Sequence, residues 1–158
     1  MMTTVSDRLR ALKTTLPDAP QPLGKFAPYL VDAGYLYISG QISINAQGAV
    51  LRGKLGQDVD LDAGIEAARC CAIGILARAK AAIGDLEDIA KRVKLGAFVN
   101  AAPDFSDHPK VVNGASDLMV AVFGLAVARH VRFAVGSSSL PANAAVEIEA
   151  LFRLKPSR

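Results

Sequence analysis

The sequence predicts an α+β domain, a mixed β-sheet with two helices packed on one face. Three observations predict it. Residues 62–83 repeat apolar side chains at helical spacing. A second stripe of that kind runs from Pro109 to about Phe123. The segments around and between them alternate apolar and polar residues with the two-residue period of a strand. The resulting order, β-β-(β)-α-β-α-β-β, points to one sheet with both helices on the same side.

The elements follow in chain order. Residues 5–15 (VSDRLRALKTT) form a short helix that Ser6 or Asp7 can cap. TLPDAPQP stops it, because proline lacks a donor and clashes with the preceding turn. This helix belongs to an N-terminal extension, residues 1–23, ahead of a domain spanning 24–158. KFAPYLVDAGYLYISGQISI reads as two strands joined at Asp32-Ala33-Gly34. A short third strand follows around Ala49–Leu51. In helix 62–83 the stripe is Ile65, Ala68, Ala72, Ile75, Leu76, Ala79 and Ile83. Asp60 or Asp62 can cap it, and Gly84 suits the position just past its end. Residues 89–100 alternate as a strand, with Val93, Leu95, Ala97 and Val99 on one face and Arg92, Lys94, Gly96 and Phe98 on the other. The second helix buries Val112, Ala115, Leu118, Met119 and Val122, and Asn113 lies off that stripe. Strands near His130–Gly136 and Ala145–Leu154 complete the sheet. Its uncovered face is expected to carry Arg132, Glu147 and Glu149 beside Phe98 and Leu151. A half-apolar uncovered face predicts a partner subunit.

Bulk properties exclude several classes. The chain has 158 residues, 51% hydrophobic and 21% charged, which fits one folded domain and not a disordered one. The net charge of +3 is scattered over Arg8-Arg10-Lys13, Lys91-Arg92-Lys94 and Arg153-Lys155-Arg158, not laid in the dense stripe a nucleic-acid groove needs. The N-terminus lacks the apolar core of a signal peptide, and no run of about 18 apolar residues exists. A cytoplasmic protein without a membrane partner is expected. Cys70 and Cys71 are adjacent and read as small apolar helix residues, too few for zinc. Gly53-Lys54-Leu55-Gly56 lacks the spacing of a phosphate loop and reads as an ordinary turn.

Candidate chemistry centres on Arg132. An arginine within the apolar strand VRFAVG is costly unless it is paired. It either pairs with Glu147 or Glu149, or its planar guanidinium clamps the carboxylate of a small acid. Glu147 and Glu149 are either solvated or paired, or one of them positions a water or moves a proton. Tyr29 packs with one hydroxyl bond, and Ser39-Gly40 ends a strand where a substrate could approach the backbone. His108 and His130 have no metal-ligand spacing and read as structural or exposed.

Three runs, APYLVDAGYLYISGQI, VNAAPDFSDHPKVVNGASDLMVAVFG and VRFAVGSSSLPANAAVEIEALF, together resemble the RidA-type (YjgF-like) family, also known as endoribonuclease L-PSP. The resemblance covers 24–152, and the longer N-terminus and the GKLG run are similar to a longer bacterial branch. It implies a chorismate-mutase-like fold and a homotrimer, with a central β-barrel and pockets between subunits. It also implies hydrolytic deamination of reactive enamines or imines of the 2-aminoacrylate type, giving 2-oxo acids and ammonia without metal or cofactor. By resemblance, Arg132 binds the carboxylate of the substrate and Glu147 orients the attacking water. Tyr29, Ser39, Gly40, Asn113 and the Ala134 backbone line the pocket. Ala134 stands where many deaminating members have cysteine, and Phe133 is bulky. Two other activities compete: a non-enzymatic trimer that binds small molecules or regulates a partner, and an endoribonuclease acting on single-stranded RNA. The sequence offers no stacking platform for the latter.

Overall fold

The computed structural model describes residues 2–19, 21–22 and 24–156. Pro20 of the proline-rich stop and Arg158 of the last basic cluster lie outside the described residues, with Met1, Leu23 and Ser157. Helix α1 (Val5–Ala11) starts earlier than either expected cap allows. Thr4 caps it, its hydroxyl accepting from the Asp7 amide while the Asp7 carboxylate accepts the Thr4 amide. Asp7 therefore supplies the far half of a capping box instead of the cap itself. The helix also ends sooner, because Lys13 takes a left-handed φ of 50°. Val5 and Leu9 are buried in the core shared with the rest of the chain.

Strands β1 (Tyr29–Asp32) and β2 (Tyr35–Ile42) form the expected hairpin across Ala33-Gly34, both at positive φ. The short strand expected at 49–51 is absent from the described residues. Val50 bridges Ile44 and Arg52 bridges Ala144, each as an isolated pair, so this stretch braces a loop. Lys54 crosses the same loop to bond Asn100 Oδ1 at 2.9 Å and the Ser138 carbonyl. The GKLG turn is thereby pinned to the sheet.

Helix α2 (Leu61–Ile83) is capped by Asp60, whose carboxylate accepts from the Ala63 amide at 2.8 Å. Strand β3 (Ile89–Asn100), helix α3 (His108–Phe123), the short helix α4 (Leu125–Ala128), β4 (Val131–Ser137) and β5 (Val146–Leu154) follow. The sheet order is β1-β2-β5-β3-β4. All neighbours are antiparallel except β3 and β4, which α3 joins as a parallel crossover. Leu36, Ile38, Leu95, Ala97, Val99, Ile148 and Phe152 of the sheet are buried with the inward stripes of α2 and α3. The helices approach closely because residue 114 is glycine, where a Cβ would overlap the Ile65 carbonyl oxygen.

The face opposite the helices holds Leu30, Tyr37, Phe98, Val131 and Val135, all exposed. Each lies in register with another residue of that face, such as Leu30 opposite Tyr37 and Phe98 opposite Val135. Two sequence expectations fail here. Alternation puts Arg92 on the face of Lys94, but the β3–β5 register shifts between Arg92 and Lys94. That bulge turns Arg92 opposite buried Phe152, where its own accessibility is 0%. The sequence reading puts Arg132 on the uncovered face. In the parallel pairing it lies opposite Leu95, and Ala134 opposite Ala97, so both take the helix side.

Candidate functional site

Arg132 stands on β4 under the first turns of α3. Its Nη2 donates to Asn113 Oδ1 at 2.8 Å and to the Pro109 carbonyl at 3.1 Å. Its Nη1 donates to Ser116 Oγ at 3.0 Å. Asn113 and Ser116 are three residues apart on one helix face, so a single turn of α3 holds the fork from two points. Among the described residues the ion pairs are Arg10–Asp7, Arg69–Glu66 and Lys110–Asp107. Neither Glu147 nor Glu149 pairs with Arg132. The guanidinium is half-buried, is oriented by neutral oxygens, and has no carboxylate at ion-pair distance among the described residues. Such a group favours an anion, and its planar shape favours a carboxylate.

Behind the clamp lies a second cation. Arg92 donates through Nε and Nη2 to the Ala128 carbonyl at 3.0 and 2.6 Å, and Nη2 also meets His130 Nδ1. The other ring nitrogen, Nε2, lies 3.2 Å from Ser116 Oγ. Burial, then the charge of Arg92, push the His130 pKa down to about 4, so the ring is neutral at pH 7. Burial and then Arg132 push Arg92 down to about 9, which leaves it charged at neutral pH. Sequence reasoning missed Arg92, His130 and Ser116 as members of this cluster. The one signal was a basic residue in a strand that otherwise buries apolar side chains.

The remaining candidates gather elsewhere. Glu147 sits on the uncovered face, opposite Phe98, with its carboxylate against Gly40, where a Cβ would overlap Oε1. Partial burial raises its pKa above the usual carboxylate value. Ser39 donates from Oγ to the Ala27 carbonyl at 2.8 Å and from its amide to the Pro28 carbonyl. Tyr29 lies opposite Ile38 and packs against the core on the helix side. The structure thus unites Arg132, Asn113 and Ala134 in one group and Glu147 with Gly40 in another. The two groups lie on opposite faces, with β3 between their strands.

Other features do not join them. A largely apolar cavity of about 540 Å³ opens among Pro17, Ile42, Ile44, Cys70 and Ile73, with no wall from α3 or β4. Both cysteines are free and buried. Burial and Glu66 push Cys70 up to about 11, and burial raises Cys71. No cluster of three metal-ligating side chains occurs among the described residues, and none of their helices is long and apolar enough to cross a membrane.

A single antiparallel-rich sheet, two helices on one face and an arginine under the second helix define a class, and the comparisons agree on it. The family described as YjgF/chorismate mutase-like, putative endoribonuclease, matches residues 6–153, and the chain belongs to this family. It is 41% identical over 150 residues to Protein TCP17 of Trypanosoma cruzi, spanning 95% of this chain and 94% of that one. It is similar to the crystal structure of protein Atu1372 of Agrobacterium tumefaciens, of unknown function. That match has 39% identity and a TM-score of 0.88, over 96% of this chain and 94% of the other. A structure from Shewanella oneidensis MR-1, named a putative endoribonuclease, matches at 31% identity with a TM-score of 0.91, over 96% and 99% of the two chains.

Proposed function

We propose that this chain hydrolyses small enamine or imine carboxylates of the 2-aminoacrylate type to 2-oxo acids and ammonia. It does so as a cytoplasmic homotrimer with sites between subunits. The observation that carries the reading is Arg132, oriented by Asn113, Ser116 and Pro109 and lacking a carboxylate partner. A substrate carboxylate supplies the missing charge.

The chemistry needs little more. Water adds to the imine carbon, forming a C–O bond as the C=N electron pair moves to nitrogen. The carbinolamine then passes its hydroxyl proton to the amine, the C–N bond breaks, and ammonia leaves as the C=O of the 2-oxo acid forms; an enamine enters this sequence once its N–H proton has moved to the terminal carbon. Glu147, raised in pKa by burial, takes the proton of the water and returns it to the nitrogen. Orientation supplies much of the remaining effect, because the imine is already electrophilic.

Arg132 and Glu147 lie on opposite faces of one sheet, so the proposed site takes Arg132 from one copy and Glu147 from its neighbour. The exposed apolar face of Leu30, Tyr37, Phe98, Val131 and Val135 supports this reading, since it is the kind of surface that associating copies bury. The ribonuclease activity named for relatives draws less support. His130 is neutral and engaged at both ring nitrogens, which leaves it poorly placed as the acid or base of phosphodiester cleavage. In a coupled assay with threonine dehydratase, added protein is expected to speed 2-oxo acid release, and Arg132→Ala to abolish the effect. An unchanged rate with that variant contradicts the clamp.

A further inference from the structure

Arg92 is completely buried, and it pairs with no acid among the described residues. Its partners are the Ala128 carbonyl and the His130 ring, and Nη1 has no hydrogen-bond partner among the described residues. Burying a charge this way costs stability unless the charge is used. Its surroundings show a use. His130 Nδ1 meets Arg92 and also lies 3.0 Å from the Ala128 carbonyl oxygen, but that oxygen already takes two donors from Arg92, and Arg92 is always a donor, so Nδ1 accepts. The neutral ring then carries its proton on Nε2 and donates it to Ser116 Oγ. Arg132 Nη1 donates to the same oxygen. Both lone pairs of Ser116 are filled by donors whose orientation is set from behind, and the second guanidinium adds positive potential to the first.

We infer that Arg92 is a positioning residue, acting through His130 and Ser116, that fixes the Arg132 fork and biases it toward carboxylate over uncharged ligands. The inference rests on the proposed function, because it assigns the same clamp its selectivity. A role confined to capping α4 through Ala128 would predict no such bias. In that case loss of Arg92 would loosen the fold and affect charged and uncharged ligands alike.

The two cases separate by calorimetric titration of the full chain with 2-oxobutyrate and with its uncharged amide, 2-oxobutyramide. The variants are Arg92→Met, Arg92→Lys and Ser116→Ala, with circular dichroism to verify folding. Arg92→Met is expected to weaken 2-oxobutyrate about tenfold, and Ser116→Ala about fivefold, matching the loss of about one oriented hydrogen bond. Affinity for the amide stays within about twofold of the wild type, and Arg92→Lys recovers part of the loss by restoring the charge. Ser116→Ala removes one oxygen from a half-buried site, so it decides the matter if Arg92→Met does not fold. Equal losses for acid and amide, or acid affinity unchanged in a folded variant, overturn the inference while the clamp stands. If the wild type itself binds no 2-oxobutyrate, the proposed function fails, and the positioning role fails with it.

Discussion

Asn113 Oδ1 accepts a hydrogen bond from Arg132 Nη2 at 2.8 Å, and this contact ties helix α3 to the edge strand β4 at a cation that the fold orients without a counter-charge among the described residues. An aspartate there would supply that charge from within. Asn113→Asp is therefore expected to raise the KM for the enamine substrate about tenfold or more, because the clamp is neutralised. Its thermal midpoint should not fall, since a new ion pair at a partly exposed site contributes about 0–1 kcal/mol. Steady-state kinetics and a melting curve on the same preparation check both parts. A lowered midpoint with an unchanged KM contradicts the assignment.

Acid should weaken this protein partly through His130. The ring titrates near 4 in the folded chain, against 6.5 for an unperturbed histidine. Between those values the unfolded chain binds more protons, so stability rises with pH. The contribution is fully present above about 6.5 and is lost as pH falls through about 4. His130→Asn removes this dependence while keeping an acceptor for Arg92. Melting temperatures between pH 4 and 7 should fall more steeply for the wild type than for the variant. Parallel slopes would show that the ring is not held neutral.

Much of this architecture is legible in the sequence, because periodicity reports burial directly. The α3 stripe is buried as its spacing predicts, the α2 stripe is buried except for half-buried Ile65 and Ile83 near its ends, and Asn113, off the stripe, is exposed. What is not legible depends on register. The side taken by Arg132 follows from its pairing with Leu95 across a parallel crossover, which strand alternation alone does not specify. Arg92 is hidden for a related reason: one bulge in β3 reverses which face its side chain joins. The α1 cap shifted because Thr4 and Asp7 satisfy each other, a reciprocal pair that outcompetes a single cap.

Gly40 leaves room for the Glu147 carboxylate, and a methyl group there collides with Oε1. Gly40→Ala should push the carboxylate aside without unfolding the hairpin. Glu147→Gln is expected to lower kcat about a hundredfold, within the range of general acid–base contributions, and Gly40→Ala about tenfold. Neither should change KM greatly, since neither touches the clamp. Pre-steady-state or initial-rate measurements separate the two constants, and a pure KM effect would remove Glu147 from the chemistry.

The uncovered sheet face offers a direct test of assembly. Phe98 is 40% exposed and packs edge-on against Phe133 at 5.4 Å between ring centroids. Phe98→Asp places a charge in the middle of that face, where burying it unpaired costs on the order of several kcal/mol. Light scattering coupled to size exclusion should show the proposed trimer in the wild type and single chains in the variant, with the proposed deaminase activity lost. A trimer of unchanged mass would move the interface to another surface.

Subunit complementation shows whether one site takes Arg132 and Glu147 from different copies, as proposed. Arg132→Ala and Glu147→Gln are each expected to be inactive alone. When they are co-expressed and mixed trimers form at random, each mixed ring regains one intact site, so about a quarter of the wild-type rate should return. A rate no higher than that of the separate variants, from verified mixed trimers, contradicts the account.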